Sequence, residues 1–211
     1  MADLNAIIDA LRAMAELIES NKEHLTELDG AIGDGDHGIN MSRGFTFVQE
    51  TLNKGNFQSL TDLFKKCGMA LVAHVGGASG PLYGTAFLRA AAAVKGKAEI
   101  GAEDYVQILK EAIAGIQMRG KSERGEKTML DALVPAFEAA AKAVEEGQSV
   151  QSVLDAAKHG AEMGAAETKN LVAQKGRASY LGERSLGHID PGAASMALLV
   201  AAVANYFAER R

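Results

Sequence analysis

The sequence has no tryptophan, three prolines and one cysteine, and aromatic residues make up only 5% of it. Each scarcity removes a class of protein. A lone Cys67 rules out an internal disulfide framework and fits a reducing compartment. Few aromatics beside abundant alanine, as in Ala90–Ala93 and Ala139–Ala141, argue against a β-sandwich, because small side chains let helices approach closely. Basic residues form no stripe and the net charge is -5, which disfavours nucleic acid as a partner. Asp3 and Asp9 stand where a signal peptide would carry positive charge, and no run is read as reaching transmembrane length. The expectation is a cytoplasmic protein with no membrane partner.

No segment sustains an alternation of period two, whereas helical spacing recurs throughout. Ile7, Ile8, Leu11, Met14, Leu17 and Ile18 form one apolar stripe; Leu60, Leu63, Phe64, Cys67 and Leu71 form another. Further helices are expected over about 40–53, 81–95, 102–119, 128–146, 149–174 and 191–210. Pro81 and Pro191 sit at helix starts, the latter behind the expected N-cap Asp190, and Pro135 should kink the sixth helix. No repeat, low-complexity tract or linker divides residues 1–211. The reading is a single all-α domain, an eight-helix antiparallel up-and-down barrel or bundle.

Up-and-down topology has a consequence for function. With short connections, the first, third, fifth and seventh connections share one end. These are Asp29–Asn40, Gly76–Gly80, Gly120–Lys127 and Lys175–Asp190, which hold nearly every unusual Gly, Asp, His and Arg combination. The connections around Asn53–Gln58, Lys95–Gly101 and Glu145–Ser149 read as plain turns. Function is therefore expected at one end.

The first of these connections carries Asp29, Asp34 and Asp36 within eight residues. A glycine-rich loop can curl so that the three carboxylates converge, and converged carboxylates repel one another unless a cation neutralises them. All-oxygen ligands select hard ions such as Mg²⁺ or Ca²⁺. An EF-hand is excluded, because the positions for its turn glycine and closing acid hold Ile39 and Phe45. The competing reading is an acidic capping loop. His37 is either a ligand contact or a group that satisfies the loop backbone.

Two nucleotide motifs here are decoys. Gly33-x-Gly35-x-x-Gly38 matches the dinucleotide fingerprint, but no strand precedes it and Asp34 and Asp36 would face a pyrophosphate. Gly115 to Ser122 matches a P-loop, yet it ends an amphipathic helix rather than following a strand. Gly76–Pro81 is either a helix–helix turn or a place where free backbone and a helix N-terminus meet a ligand. Lys121, Arg124, Lys127 and Thr128 are read either as phosphate contacts or as a solvated basic turn. The stretch from Lys175 to Gly192 is long for a bundle connection, as functional lids often are. His24, His74 and His159 lie in or beside helices and read as structural or surface residues.

Four runs in order, LDGAIGDGDHGINM, VGGASGPLYGT, RGKSERGEKTM and KGRASYLGERSLGHIDPGA, resemble the nucleotide-binding L subunits of dihydroxyacetone kinases. The resemblance spans essentially the whole chain. It implies an eight-helix barrel with ADP or ATP and two Mg²⁺ ions at one end. Asp29, Asp34 and Asp36 resemble the metal-binding triad. His37, Gly38, Ile39, Asn40, Ala78, Ser79, Gly120, Met129, Arg177, Asp190, Pro191 and Gly192 resemble the nucleotide contacts. No catalytic base is implied in this chain, because in the family a histidine of a separate K subunit holds dihydroxyacetone.

Free-standing L subunits resemble the phosphotransferase-system type, in which an M subunit rephosphorylates bound ADP. Other readings remain: an ATP-dependent two-component ketose kinase, for example for a tetrulose; a fatty-acid kinase, whose nucleotide domain is normally fused to others; and a nucleotide sensor that binds a transcriptional regulator.

Overall fold

The computed structural model describes residues 1–210, and all its regular elements are helices. They are α1 (Leu4–Ser20), α2 (Lys22–Ile32), α3 (His37–Lys54), α4 (Leu60–His74), α5 (Ser79–Ala93), α6 (Ala102–Gly120), α7 (Leu130–Glu145), α8 (Val150–Glu167) and α9 (Pro191–Ala208). The extended pairing among the described residues is a single bridge, Ala2 to Ile100. Nine helices make eight legs, because α1 and α2 are one bent leg. The bend is at Asn21 (φ -106°, ψ 12°), whose side-chain amide donates to the Leu17 carbonyl at 2.8 Å. From α3 to α9 each helix packs on the next. The α1 segment lies between α9 and α3 and so closes the ring.

The apolar stripes meet inside this ring. Leu11, Ile18, Leu25, Phe45, Leu63, Cys67, Leu71, Ile116, Leu133, Ala140, Val153 and Val200 belong to one continuous core, as burial of each amphipathic face requires. Burial pushes the Cys67 thiol up to about 12, consistent with an inert packing residue. Helices α7 and α8 approach closely. A methyl on Gly164 would collide with the Asp131 carbonyl, and one on Gly160 with the Pro135 carbonyl. Pro135 has no N–H for the Asp131 carbonyl, and α7 runs through it without ending.

Three expectations need correction. The leading helix runs on to Ile32 and α3 begins at His37, so Asp29 lies on a helical turn and the acidic loop shrinks to residues 33–36. The seventh leg, α8, stops at Glu167 instead of reaching 174. Residues 168–190 then form a longer cover with short 3₁₀ turns at Thr168–Asn170 and Arg177–Ser185, the second broken at Gly182. Finally, α9 is long and apolar enough by length and composition to cross a membrane, but 61% of it is buried inside the protein. Its hydrophobicity is that of a core helix.

Candidate functional site

The four odd connections come together. Residues 33–36, 75–78, 121–129 and 168–190 surround a cleft of about 490 Å³ at one end of the barrel. The topology that collects these connections also brings the N-termini of α3, α5, α7 and α9 to the same end. Each contributes the positive end of a helix dipole. The mouth therefore attracts anions through backbone alone.

Against this background stand the carboxylates. One oxygen each from Asp29, Asp34 and Asp36 lies within 4.8 Å of the other two. They are held differently. Asp29 is buried on the last turn of α2, where its Oδ2 accepts the Asp36 N–H at 2.9 Å and the His37 N–H at 3.1 Å. It thereby fixes the start of α3 against the end of α2. Asp34 and Asp36 are not buried, and Arg177 reaches from the long cover to Asp34 Oδ2 at 2.9 Å. Arg177 is largely exposed, so this pair adds little to stability. It does join the first and last connections across the cleft. An oxygen-only set of three aspartates within this span suits a hard divalent cation and no soft metal.

Behind the carboxylates is a buried polar network. His37 Nε2 lies 2.8 Å from Ser195 Oγ, and its Nδ1 lies 3.3 Å from Ser79 Oγ. Ser195 Oγ is also 2.7 Å from the Tyr83 hydroxyl, which sits 3.0 Å from the Gly192 carbonyl. Three helices, α3, α5 and α9, are thus joined through one serine. Burial lowers the His37 pKa, while Asp29 and Asp36 oppose the shift. Asp190 caps α9 by accepting the Ala193 N–H at 2.7 Å, and burial raises its carboxyl to about 7. Asn40 is oriented by Arg43, whose Nη2 donates to Asn40 Oδ1 at 2.8 Å.

Most of the candidate residues line the cleft: Asp29, Asp34, Asp36, His37, Asn40, Ala78, Ser79, Gly120, Met129, Arg177, Asp190, Pro191 and Gly192. Gly38 and Ile39 do not. Gly38 packs against the Lys22 carbonyl and Thr26 at the back of α3, and Ile39 is half exposed. Of the basic turn, Arg124 pairs with Glu138 at 3.0 Å on the surface. Lys127, at the edge of the cleft, is buried and turns its ammonium inward to four backbone carbonyls.

Sequence reasoning missed Tyr83, Ser195, Thr168 and Asp131. Asp131 organises the fifth connection by accepting the Gly125 N–H at 2.5 Å and the Thr128 N–H at 2.7 Å. The spacing Thr128-x-x-Asp131 is a readable capping signal. Ser195 and Tyr83 carry none, being a small polar residue and an aromatic on core-facing helical positions.

Fold and site together define a class: an up-and-down helical barrel with an acidic, oxygen-rich mouth ringed by helix N-termini. The chain belongs to the DAK2 domain family, whose model matches residues 31–205. It is 47% identical over 189 residues to the PEP-dependent dihydroxyacetone kinase 1, ADP-binding subunit DhaL of Listeria innocua, covering 90% of this chain and 89% of that one. It is 43% identical to the corresponding subunit of Escherichia coli, covering 92% of each. The dihydroxyacetone kinase of C. freundii in complex with AMP-PNP and Mg²⁺ matches with a TM-score of 0.75 and 26% identity. That match covers 97% of this chain and 34% of that one. The chain thus spans about a third of that kinase. It likewise covers 32% of human triokinase/FMN cyclase, to which it is 36% identical.

Proposed function

We propose that this chain is the nucleotide-carrying subunit of a cytoplasmic dihydroxyacetone kinase of the phosphotransferase-system-dependent type. ADP stays bound as a cofactor, is phosphorylated in place by an M subunit, and passes the phosphoryl group to dihydroxyacetone on a K subunit. The observation that carries the reading is the meeting of three aspartates with four helix N-termini at one mouth. That combination suits a polyphosphate and hard cations together, since carboxylates alone would repel phosphates. The relatives named as ADP-binding subunits share nearly their full length with this chain.

Asp29, Asp34 and Asp36 would hold two Mg²⁺ ions, which when bound supply charge neutralisation at the phosphoryl oxygens. The remaining work belongs to the protein. Asp29 is fixed by the Asp36 and His37 N–H groups, so its ligand oxygens need little reorganisation. The starts of α5 and α9, with Ala78, Ser79 and Asp190–Gly192, offer backbone to the nucleotide. Gly120 and Met129 flank it from the fifth connection, and His37 and Asn40 from the first. Arg177, already over the cleft, reaches the phosphates from the lid. The chain supplies no base for the acceptor, which the K subunit provides.

Reconstitution tests this. Purified protein should carry adenine nucleotide, visible by chromatography after denaturation, and should not phosphorylate dihydroxyacetone alone. Adding K and M subunits with a phosphoenolpyruvate-driven relay should restore activity with catalytic nucleotide. Multiple turnovers of free ATP with the K subunit and no M subunit would overturn the cofactor assignment.

A further inference from the structure

Lys127 is 1% exposed and sits at φ 62°, a backbone conformation that lysine rarely adopts. Its ammonium donates to the carbonyls of Thr168 (2.7 Å), Leu171 (3.2 Å), Ser185 (2.8 Å) and His188 (2.6 Å). Two of these carbonyls belong to the segment leaving α8 and two to the segment returning to α9. The cation therefore ties both roots of the cover to the fifth connection, one residue before Thr128. Neighbouring bonds lock the same roots. Thr168 Oγ1 accepts the Asp190 N–H at 2.9 Å, Ser185 Oγ accepts the Ala173 N–H at 2.9 Å, and the Lys169 carbonyl accepts the Gly187 N–H at 2.7 Å. The span between these roots, with its break at Gly182, carries Arg177 over the cleft.

We propose that Lys127 is an internal cation that holds the lid, residues 172–187, in place over the cleft and so sets how slowly nucleotide leaves. It is a positioning residue that touches lid backbone, not ligand. Four carbonyls aimed at one point repel one another without a central cation, and no other cationic side chain reaches them among the described residues. The release part of the inference rests on the nucleotide reading above; the lid part does not.

The test uses Lys127→Ala, which leaves a cavity shaped for a small ammonium ion. Release of Mg·ADP, followed by chasing with unlabelled ADP, should be at least 10-fold faster than in the natural chain. Millimolar methylammonium should return it toward the natural rate, and tetramethylammonium at equal ionic strength should not. Amides of residues 173–187 should exchange hydrogen faster in the variant, while those of α4 and α5 keep their protection. Lys127→Met fills the stem volume without the charge; should the alanine variant not fold, the methionine variant carries the same expectation without amine rescue. Unchanged release in the folded variant, or faster release of the alanine variant that methylammonium does not correct, overturns the inference. If the natural chain binds no Mg·ADP, the nucleotide reading fails by itself, and lid exchange decides the rest: unchanged exchange at 173–187 refutes the tie.

Discussion

The two ends of this barrel solve the same problem in opposite ways. Every helix start leaves N–H groups without intrahelical partners. At the end away from the cleft, side chains close them locally. Ser59 accepts the Asp62 N–H at 3.1 Å, Asp104 accepts the Gly101 N–H at 2.9 Å, and Ser149 accepts the Ser152 N–H at 3.1 Å. At the cleft end, the residues preceding α3, α5 and α7 are Asp36, Ala78 and Met129, and none caps its helix with its side chain. The cavities differ likewise. The far end holds an apolar pocket of about 140 Å³ among Ile7, Leu11, Phe64, Tyr105 and Phe207, whereas aspartates line the mouth. One end of the fold is capped locally throughout; at the other, Asp190 closes a donor of α9, Thr128 one of α7 and Asp29 one of α3, while α5 starts without a side-chain cap beside the carboxylates.

Substitutions can break this contrast. The largest effect is expected from Asp34→Asn, which should weaken calorimetric Mg·ADP binding by ~100-fold or more, with chelator doing the same to the natural chain. Binding that survives both would remove metal from the account. Next comes Gly164→Ala, expected to lower unfolding stability by about 1–3 kcal/mol, because the new methyl meets the Asp131 carbonyl and helices cannot part locally.

A third prediction concerns Asp190. Its carboxyl is raised to about 7 by burial, above its usual unfolded value, so the folded state holds a proton more tightly than the unfolded one. Its contribution to stability is thus full below about pH 4 and is lost as pH rises toward about 7. Asp190→Asn keeps the cap acceptor and should flatten that decline in urea titrations over the same window. An unchanged slope would mean that Asp190 is already ionised in the fold. The smallest effect belongs to Ser59→Ala, which should cost about 1 kcal/mol of stability and leave Mg·ADP affinity untouched.

Much of this was legible in the sequence, for particular reasons. Helical periodicity and the scarcity of aromatics gave the architecture, and the count of connections gave the end at which the cleft lies. Pro191 behind Asp190 marked the start of α9 correctly, since a capping aspartate and a proline have single-residue signatures. The first leg was harder. Asn21 bends the helix without ending it, and glycines at 30, 33 and 35 disguised the last turn that carries Asp29. Lys127 was opaque because a surface lysine and a caged one look alike until residues about 40 to 60 positions downstream return to meet it. Ser195 was invisible for the same reason, its partners at 37 and 83 being distant in the chain.

The central claim is that one end of the barrel takes nucleotide with metal and the other does not. Backbone amide spectra of isotope-labelled protein, recorded as ADP and then Mg²⁺ are added, test it most directly. The account predicts shifts confined to residues 29–40, 76–82, 119–129 and 175–193, strong only after Mg²⁺, with residues 55–60, 94–104 and 146–152 unmoved. Equal shifts at both ends, or full shifts with ADP and chelator, would contradict it.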